Sequence, residues 1–377
     1  MRIICTGQSG LGKAEFLEQV KRIASDEGHE VTTYNMGHRM CEEAGVEESA
    51  ILNLPLPHLA SLRRSVMKDV VADAQEREHA VLCTHAVFRW ENGLFLALMP
   101  EHIRMFEPDM FVVLVDDVDA LKAEFDIRRA EEPERPSITL LEILAWREEE
   151  VVTTQLCALF ASDDRRVPFY VLPRMHQVQH FDKHIDVSSN ADMFYRLMFL
   201  GAMKKVYPSF PITMIQEFED LVNETIEFRR RLRKHFIVFD PFDIRDYHVV
   251  TEYKSLKESN PKADELVFEV RGMEVRLPMD EIPFAKTAME DQIRSHDARQ
   301  IDQGDFLLAF LPIDPKAGKP AASWGVTWEV NYAHDTGHQT FVIRQAGVGP
   351  FGELPTRVFE SLDKALDHFS TLGWISD

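Results

Sequence analysis

The stretch Gly7-Gln8-Ser9-Gly10-Leu11-Gly12-Lys13 constrains this 377-residue chain more than any other feature. It fits the G-x-x-x-x-G-K part of a phosphate loop. It also stands where such a loop must stand, between the apolar run Arg2–Thr6 and an amphipathic stretch from Lys13 to Glu27. Glycines at these positions let backbone N–H groups turn toward phosphate oxygens, and the start of the following helix adds positive potential. Lys13 brings a mobile charge to the β- and γ-phosphates. The nucleotide-binding residues read from the loop are Gly7, Gly10, Gly12, Lys13 and Ala14. Ala14 occupies the position where most phosphate loops carry the Ser or Thr that holds magnesium.

Further apolar runs at Ala80–Cys83, Phe111–Val115 and Phe169–Leu172 alternate with helical patterns, which predicts a parallel sheet covered on both faces. The pattern weakens after Pro173. A second series starts with Lys205–Tyr207 and the turn-rich Pro208–Pro211. It continues with a long helical pattern over Ile215–Lys234 and strand-like runs at Phe236–Phe239, Asp305–Leu311 and Thr340–Ile343. The segment 245–285 is rich in charges and prolines and reads as an irregular insertion or lid. At roughly 100–200 residues per domain the length suits two domains. The expectation is an α/β protein with a domain over 1–175, a connection over 176–202 and a second, smaller α/β domain over 203–377.

Lys and Arg number 42 against 63 Asp and Glu, a net charge of −21. Such a surface repels nucleic acid and anionic lipid but leaves room for a small phosphorylated ligand in a local pocket. Cys5, Cys41, Cys83 and Cys157 form no CxxC pair and read as reduced, buried thiols. The start of the chain lacks the pattern of a secretory leader. Runs such as Met110–Val115 and Phe306–Leu311 are strand-sized, far below the ~20 residues that span a bilayer. A cytoplasmic protein with no nucleic-acid or membrane partner is expected.

Over residues 1–175 the chain resembles archaeal-type adenylate kinases. The resemblance rests on the loop, on Tyr34-Asn35-Met36-Gly37-His38-Arg39-Met40, on Cys83-Thr84-His85, on Pro108-Asp109 before the run Phe111–Val115, and on Arg128-Arg129 and Arg135. It implies a P-loop, kinase-like parallel-sheet domain that takes ATP or another nucleotide, with Mg2+ as the accompanying ion. Arg128, Arg129 and Arg135 would then be lid arginines that clamp phosphates. Cys83 stands where that family places an Asp that helps hold hydrated magnesium, a second departure after Ala14. Asp116 and Asp117, at the neighbouring strand end, are the acids expected to compensate.

The second half contains Asp297, Asp305 eight residues on, then Ser323-Trp324-Gly325-Val326-Thr327-Trp328-Glu329. A Gly-Val turn entering a helix with Glu in its first turns puts that carboxylate near the C-terminal edge of a sheet, where open α/β folds bind ligands. Residues 203–377 resemble the nucleoside 2-deoxyribosyltransferase superfamily, which includes the 2′-deoxynucleoside 5′-phosphate N-hydrolases. The resemblance implies a Rossmann-like, flavodoxin-like domain in which Glu329 is the nucleophile and Asp297 the general acid. It further implies that Tyr207, Ser209, Asp305, Ser323 and Gly325 line the substrate, with Ser323 receiving a 5′-phosphate. Trp324, Trp328 and Tyr207 are candidates to wall the base or sugar. Sites in that family form near subunit contacts, so a homo-oligomer is implied as well.

The chemistry is coherent. Cleaving an N-glycosidic bond builds positive charge on the sugar, which a carboxylate stabilises or attacks. The departing base takes a proton from an acid whose pKa burial has raised. Three readings follow: an N-glycosidase acting on a nucleoside or nucleotide beside a nucleotide-binding domain; a nucleoside monophosphate kinase with a regulatory second domain; and a sensor of nucleotide pools. His176, His180 and His184 recur every four residues, a spacing that on a helix would suit a metal, but the stretch follows Pro173 and no metal is assigned to it.

Overall fold

The computed structural model describes residues 1–90, 93–131, 137–162, 166–177, 187–344, 351 and 356–375. The chain forms two units. One comprises Met1–Arg174, Ser189–Asp192 and Arg245–Glu290; the other comprises Met175–Ser188, Met193–Ile244 and Asp291–Asp377.

Strands β1 (Arg2–Thr6), β2 (Thr32–Asn35), β3 (Ala80–Cys83), β4 (Met110–Val115) and β5 (Phe169–Pro173) build the sheet of the first unit, in the order β2-β3-β1-β4-β5. Every neighbouring pair is parallel. Every residue of β3 and β4 is buried, which is why they read as unbroken apolar runs. Chain order reverses beside β1, so the loop after β1 and the residues after β4 flank the switch point where such sheets bind ligands. Helix α1 (Lys13–Asp26) buries Phe16, Leu17, Val20 and Ala24 along one stripe. Helices α2 (Val118–Glu131) and α3 (Leu140–Phe160) follow β4. Thr139 and Glu142 form a capping box at the start of α3. Thr6 Oγ1 meets Thr154 Oγ1 at 2.7 Å, and Gln8 Nε2 donates to the Ile143 carbonyl at 2.9 Å, which ties α3 to β1 and its loop.

The second unit opens with β6 (Lys205–Ser209), α4 (Glu219–His235) and β7 (Ile237–Val238). The expected single helix over Ile215–Lys234 is instead a short turn of helix, Ile212–Ile215, followed by α4. The acids Glu219 and Asp220 at its start and Arg233, Lys234 and His235 at its end suit the helix dipole. Strand β6 runs on through Pro208, which was expected in a turn. Proline is tolerated inside this sheet because the neighbour β7 ends at Val238, so no partner strand calls for the missing N–H.

The chain then returns to the first unit. The segment expected to be irregular is helix α5 (Tyr247–Ser259) and an antiparallel hairpin of β8 (Glu265–Val270) and β9 (Met273–Pro278). Arg271 and Gly272 form its two-residue turn, both at positive φ (52° and 77°), as the tight hairpin turn requires. Asp246 anchors the insert: one carboxylate oxygen accepts from Val118 N at 2.9 Å and the other from the buried Arg147 guanidinium. Glu281 accepts from Leu140 N at the head of α3.

Helix α6 (Ile282–Gln303), β10 (Phe306–Phe310), α7 (Trp324–Asp335), β11 (Gln339–Ile343), β12 (Arg357–Phe359) and α8 (Leu362–Thr371) complete the chain. The second sheet is all parallel, ordered β7-β6-β10-β11-β12. Numbered within this sheet the order is 2-1-3-4-5, a doubly wound arrangement whose switch point lies between β6 and β10. Trp374 stacks on Phe369, is tilted against Phe306 and meets Phe341 edge-on, and Phe236 packs edge-on against Phe306. Among the described residues, no helix is long and apolar enough to cross a membrane.

Replacing Asp246 by Ala leaves Arg147 buried without its counter-ion and Val118 N without its acceptor. A loss of ~3–5 kcal/mol in the stability of the first unit is expected, measured as a lower urea midpoint.

Candidate functional site

The phosphate loop has the backbone that its sequence demands. Gly7 sits at φ 145°, and a Cβ there would lie 2.7 Å from the Leu114 carbonyl oxygen of β4 and from Leu11 Cδ1. Gly12, at φ 58°, caps α1. Gly10 faces Leu121, Glu124 and Phe125 of α2. Lys13 folds its ammonium back onto the carbonyls of Gly7 (2.7 Å) and Gln8 (2.8 Å). Burial lowers its pKa; Cys83, Glu150 and Cys5 act against that, and Arg128 is near enough to add to the lowering. Arg128 is half-buried and Arg129 exposed, while Arg135 lies outside the described residues.

Three further groups stand at this loop; His85 belongs to the run Cys83-Thr84-His85 that carries the resemblance, while Glu150 and Arg174 were not anticipated from sequence. Glu150 of α3 is 1% exposed; it accepts from Ala86 N at 2.8 Å and meets His85 Nδ1 at 3.3 Å. His85 Nδ1 lies 3.5 Å from the Lys13 ammonium. Burial and Lys13 both lower the His85 pKa, so the ring is neutral at neutral pH. Arg174, just after β5, donates from Nε to Asp116 at 2.8 Å, and its Nη1 is 3.3 Å from where a Cβ on Gly12 would project. No local pattern marks Glu150 or Arg174, because each reaches the loop through a contact distant in sequence.

Asp116 and Asp117 do not stand free for a cation. Arg271 clamps Asp116 with two hydrogen bonds of 2.9 and 2.7 Å and donates to Asp117 at 3.0 Å. Asp117 also accepts from Arg245 N at 2.6 Å. Burial alone would raise the Asp116 pKa; Arg271 and Arg174 overcome it and hold it at about 2. The donor set therefore does not suit magnesium: Ala14 has no oxygen, Cys83 is a buried thiol whose pKa desolvation raises, and the two aspartates are spent on arginines.

In the second unit the structure brings Glu329, Asp297, Tyr207 and Ser209 together at the switch point. Glu329 belongs to the buried stripe Val326, Glu329, Val330, Ala333 of α7, a carboxylate where helical periodicity calls for an apolar residue. Ser209, at the end of β6, donates its hydroxyl to Glu329. Asp297 comes from α6. The Tyr207 hydroxyl is buried without a hydrogen bond of normal geometry, yet after burial itself the carboxylates of Asp297 and Glu329 are what push its pKa well up. Desolvation raises Glu329 to about 7, against the pull of Ser209 and Tyr207. Asp297 is raised well above the ordinary carboxylate value, first by desolvation and then by the charge of Glu329.

The other expected substrate residues are placed differently. Asp305 lies at the opposite edge of the sheet, where its carboxylate accepts from Lys205 N at 2.8 Å and its own N–H donates to the Lys205 carbonyl. Ser323 is the N-cap of α7, its Oγ accepting from Val326 N at 3.2 Å, with Gly325 in the first turn behind it. Trp324 is 66% exposed beneath the Arg294 guanidinium, and Trp328 stacks on Tyr332. His176 is buried against Asp243 (2.8 Å) and Arg233 (3.1 Å), and Asp240 beside it pairs with Arg229 at 2.7 Å. The arginines supply the counter-charge for this cluster. His180 and His184 lie outside the described residues.

Residues 6–142 match the AAA domain family. The match runs from the end of β1 into α3. Among solved structures, a shikimate kinase from Bacteroides thetaiotaomicron is 16% identical, with 46% of this chain and 86% of that one covered at a TM-score of 0.28. A structure of the PezAT chromosomal toxin-antitoxin system of Streptococcus pneumoniae is 11% identical, with 62% and 86% covered at a TM-score of 0.30. Neither similarity is strong enough to carry the reading further. The first unit is a parallel-sheet α/β domain that carries a phosphate loop, and the second is a further parallel-sheet α/β domain.

The raised pKa of Glu329 has a stability consequence. Between its ordinary value of 4.5 and about 7, the folded chain keeps a proton that the unfolded chain has released, so stability falls as pH rises through that window. Glu329→Gln cannot lose that proton. It is expected to match wild type at pH 4.5 and exceed it by on the order of 2–3 kcal/mol at pH 8, read from thermal unfolding at both pH values.

Proposed function

We propose that the second unit cleaves the N-glycosidic bond of a (deoxy)nucleoside or nucleotide, while the first binds ATP or another nucleotide. The observation that supports this best is the pair formed by the buried Glu329 and the half-buried Asp297, both close to one tyrosine hydroxyl at the switch point. Desolvation raises both acids, and the charge of Glu329 raises Asp297 further. Both acids are thereby biased toward the protonated form, and the charge that Glu329 takes on when it ionises favours a proton on Asp297. That division of proton states is what an acid and a nucleophile require.

In this mechanism Glu329 stabilises or attacks C1′ as the C1′–N bond breaks, and the bonding pair leaves with the base. Asp297 donates the proton that the base takes up. Ser209 holds one Glu329 oxygen in place, and the Tyr207 hydroxyl lies near both acids. Water then attacks C1′ and completes hydrolysis, or a second base accepts the sugar. Ser323, as a helix cap at the mouth of α7, remains the candidate to meet a 5′-phosphate.

A second reading, a nucleoside monophosphate kinase whose second unit is regulatory, draws on one observation: Lys13 and Arg128 lie near one another at the loop. Chromatography of a nucleotide and deoxynucleotide panel separates the two. Free base released by wild type, and reduced by at least ~10^3-fold in Glu329→Ala, is expected. ADP formed from ATP and AMP by both proteins, with no free base, would move the activity to the first unit. The rate of base release is expected to rise with pH through about 7, as Glu329 ionises, and to fall again where Asp297 loses its proton.

A further inference from the structure

We propose that the phosphate loop of the first unit binds its nucleotide without a divalent cation, with the Arg174 guanidinium supplying the positive charge that magnesium supplies elsewhere. This rests on the reading of that unit as nucleotide-binding.

Magnesium is a hard ion that wants oxygen ligands in octahedral array and, in nucleotide sites, uses one or two protein oxygens beside the phosphates. The oxygens that would serve here are missing or engaged. Position 14 is an alanine and position 83 a thiol. Both Asp116 oxygens bind guanidinium groups, and Asp117 is held by Arg271 and the Arg245 backbone. Glu150 directs one oxygen to Ala86 N and the other to His85. Among the described residues, two further acids come near the loop glycines: Glu124, whose Cβ faces Gly10, and Glu15. Glu15 is exposed, and its Oε2 lies 3.3 Å from where a Cβ on Gly12 would project, the same distance as Arg174 Nη1.

Arg174 is held differently. A buried aspartate fixes its Nε, while the Nη1 end reaches the face of Gly12. A guanidinium has five donors, so one bond to a carboxylate leaves others for phosphate oxygens in a pre-set geometry. Its charge is permanent, and it adds to those of Lys13 and Arg128. The same Asp116 that Arg271 and Arg174 withhold from a cation is thus what orients the replacement charge.

The test is calorimetric titration of the full-length protein with ATP and with ADP, once in excess Mg2+ and once in EDTA. Dissociation constants within ~3-fold of each other in the two conditions are expected. Arg174→Gln is expected to weaken both by at least ~10-fold, the scale of one charge-assisted phosphate contact, measured at a temperature where the variant is fully folded, because losing the pair with Asp116 lowers its unfolding temperature. Arg174→Lys, which keeps the charge but not the fork, should fall between them. Binding that weakens more than ~10-fold in EDTA and returns with Mg2+ would overturn the inference while leaving nucleotide binding intact. Wild-type affinity in both Arg174 variants would overturn the role of that residue. No binding in either condition would overturn the nucleotide reading itself, and this inference with it.

Discussion

Two adjacent aspartates at the end of β4 organise the first unit. Asp116 and Asp117 are buried side by side and would repel each other and resist ionisation. Arg174 from the end of β5 and Arg271 from the insert's hairpin turn cancel that charge. The insert is locked to the same place by Asp246 on Arg147. Breaking any one of these pairs strands a charge in a dry site, which costs more than the pair itself contributes. The ring of charges fixes both the phosphate loop's surroundings and the position of a segment that begins 70 residues beyond β5.

The second unit uses burial in the opposite sense. Among the described residues no arginine pairs with Asp297 or Glu329, so desolvation is not cancelled and both are held toward the protonated form. One molecule thus shows the two fates of a buried carboxylate: paired and forced to ionise at Asp116, unpaired and reluctant to ionise at Glu329. The first is an arrangement for holding a structure together. The second keeps a proton within reach of chemistry.

Both sheets were legible from sequence because buried parallel strands are apolar throughout, and β1, β3, β4, β5 and β10 lie where their apolar runs do. The loop glycines were equally legible, since Gly7 and Gly12 adopt backbone angles that other residues avoid. Glu329 carried a signal of its own, a carboxylate on the core-facing stripe of a helix. The insert was misread because β8 and β9 alternate charged and apolar residues around an Arg-Gly turn, and the charged faces suggested an irregular loop. The family resemblance implied a substrate role for Asp305, whereas its carboxylate stitches the starts of β6 and β10 together. Arg174 and Glu150 left no trace, because each acts on a residue more than fifty positions away.

Pro208, between Tyr207 and Ser209, bears on how the second unit keeps its crevice. Any other residue there would present an N–H toward the flank where β7 stops at Val238. That donor would either stay buried and unmet, at ~1–3 kcal/mol, or recruit the chain beyond Val238 to lengthen β7. The imino acid removes that donor on the β7 side of the sheet, one residue before the Ser209 hydroxyl that meets Glu329.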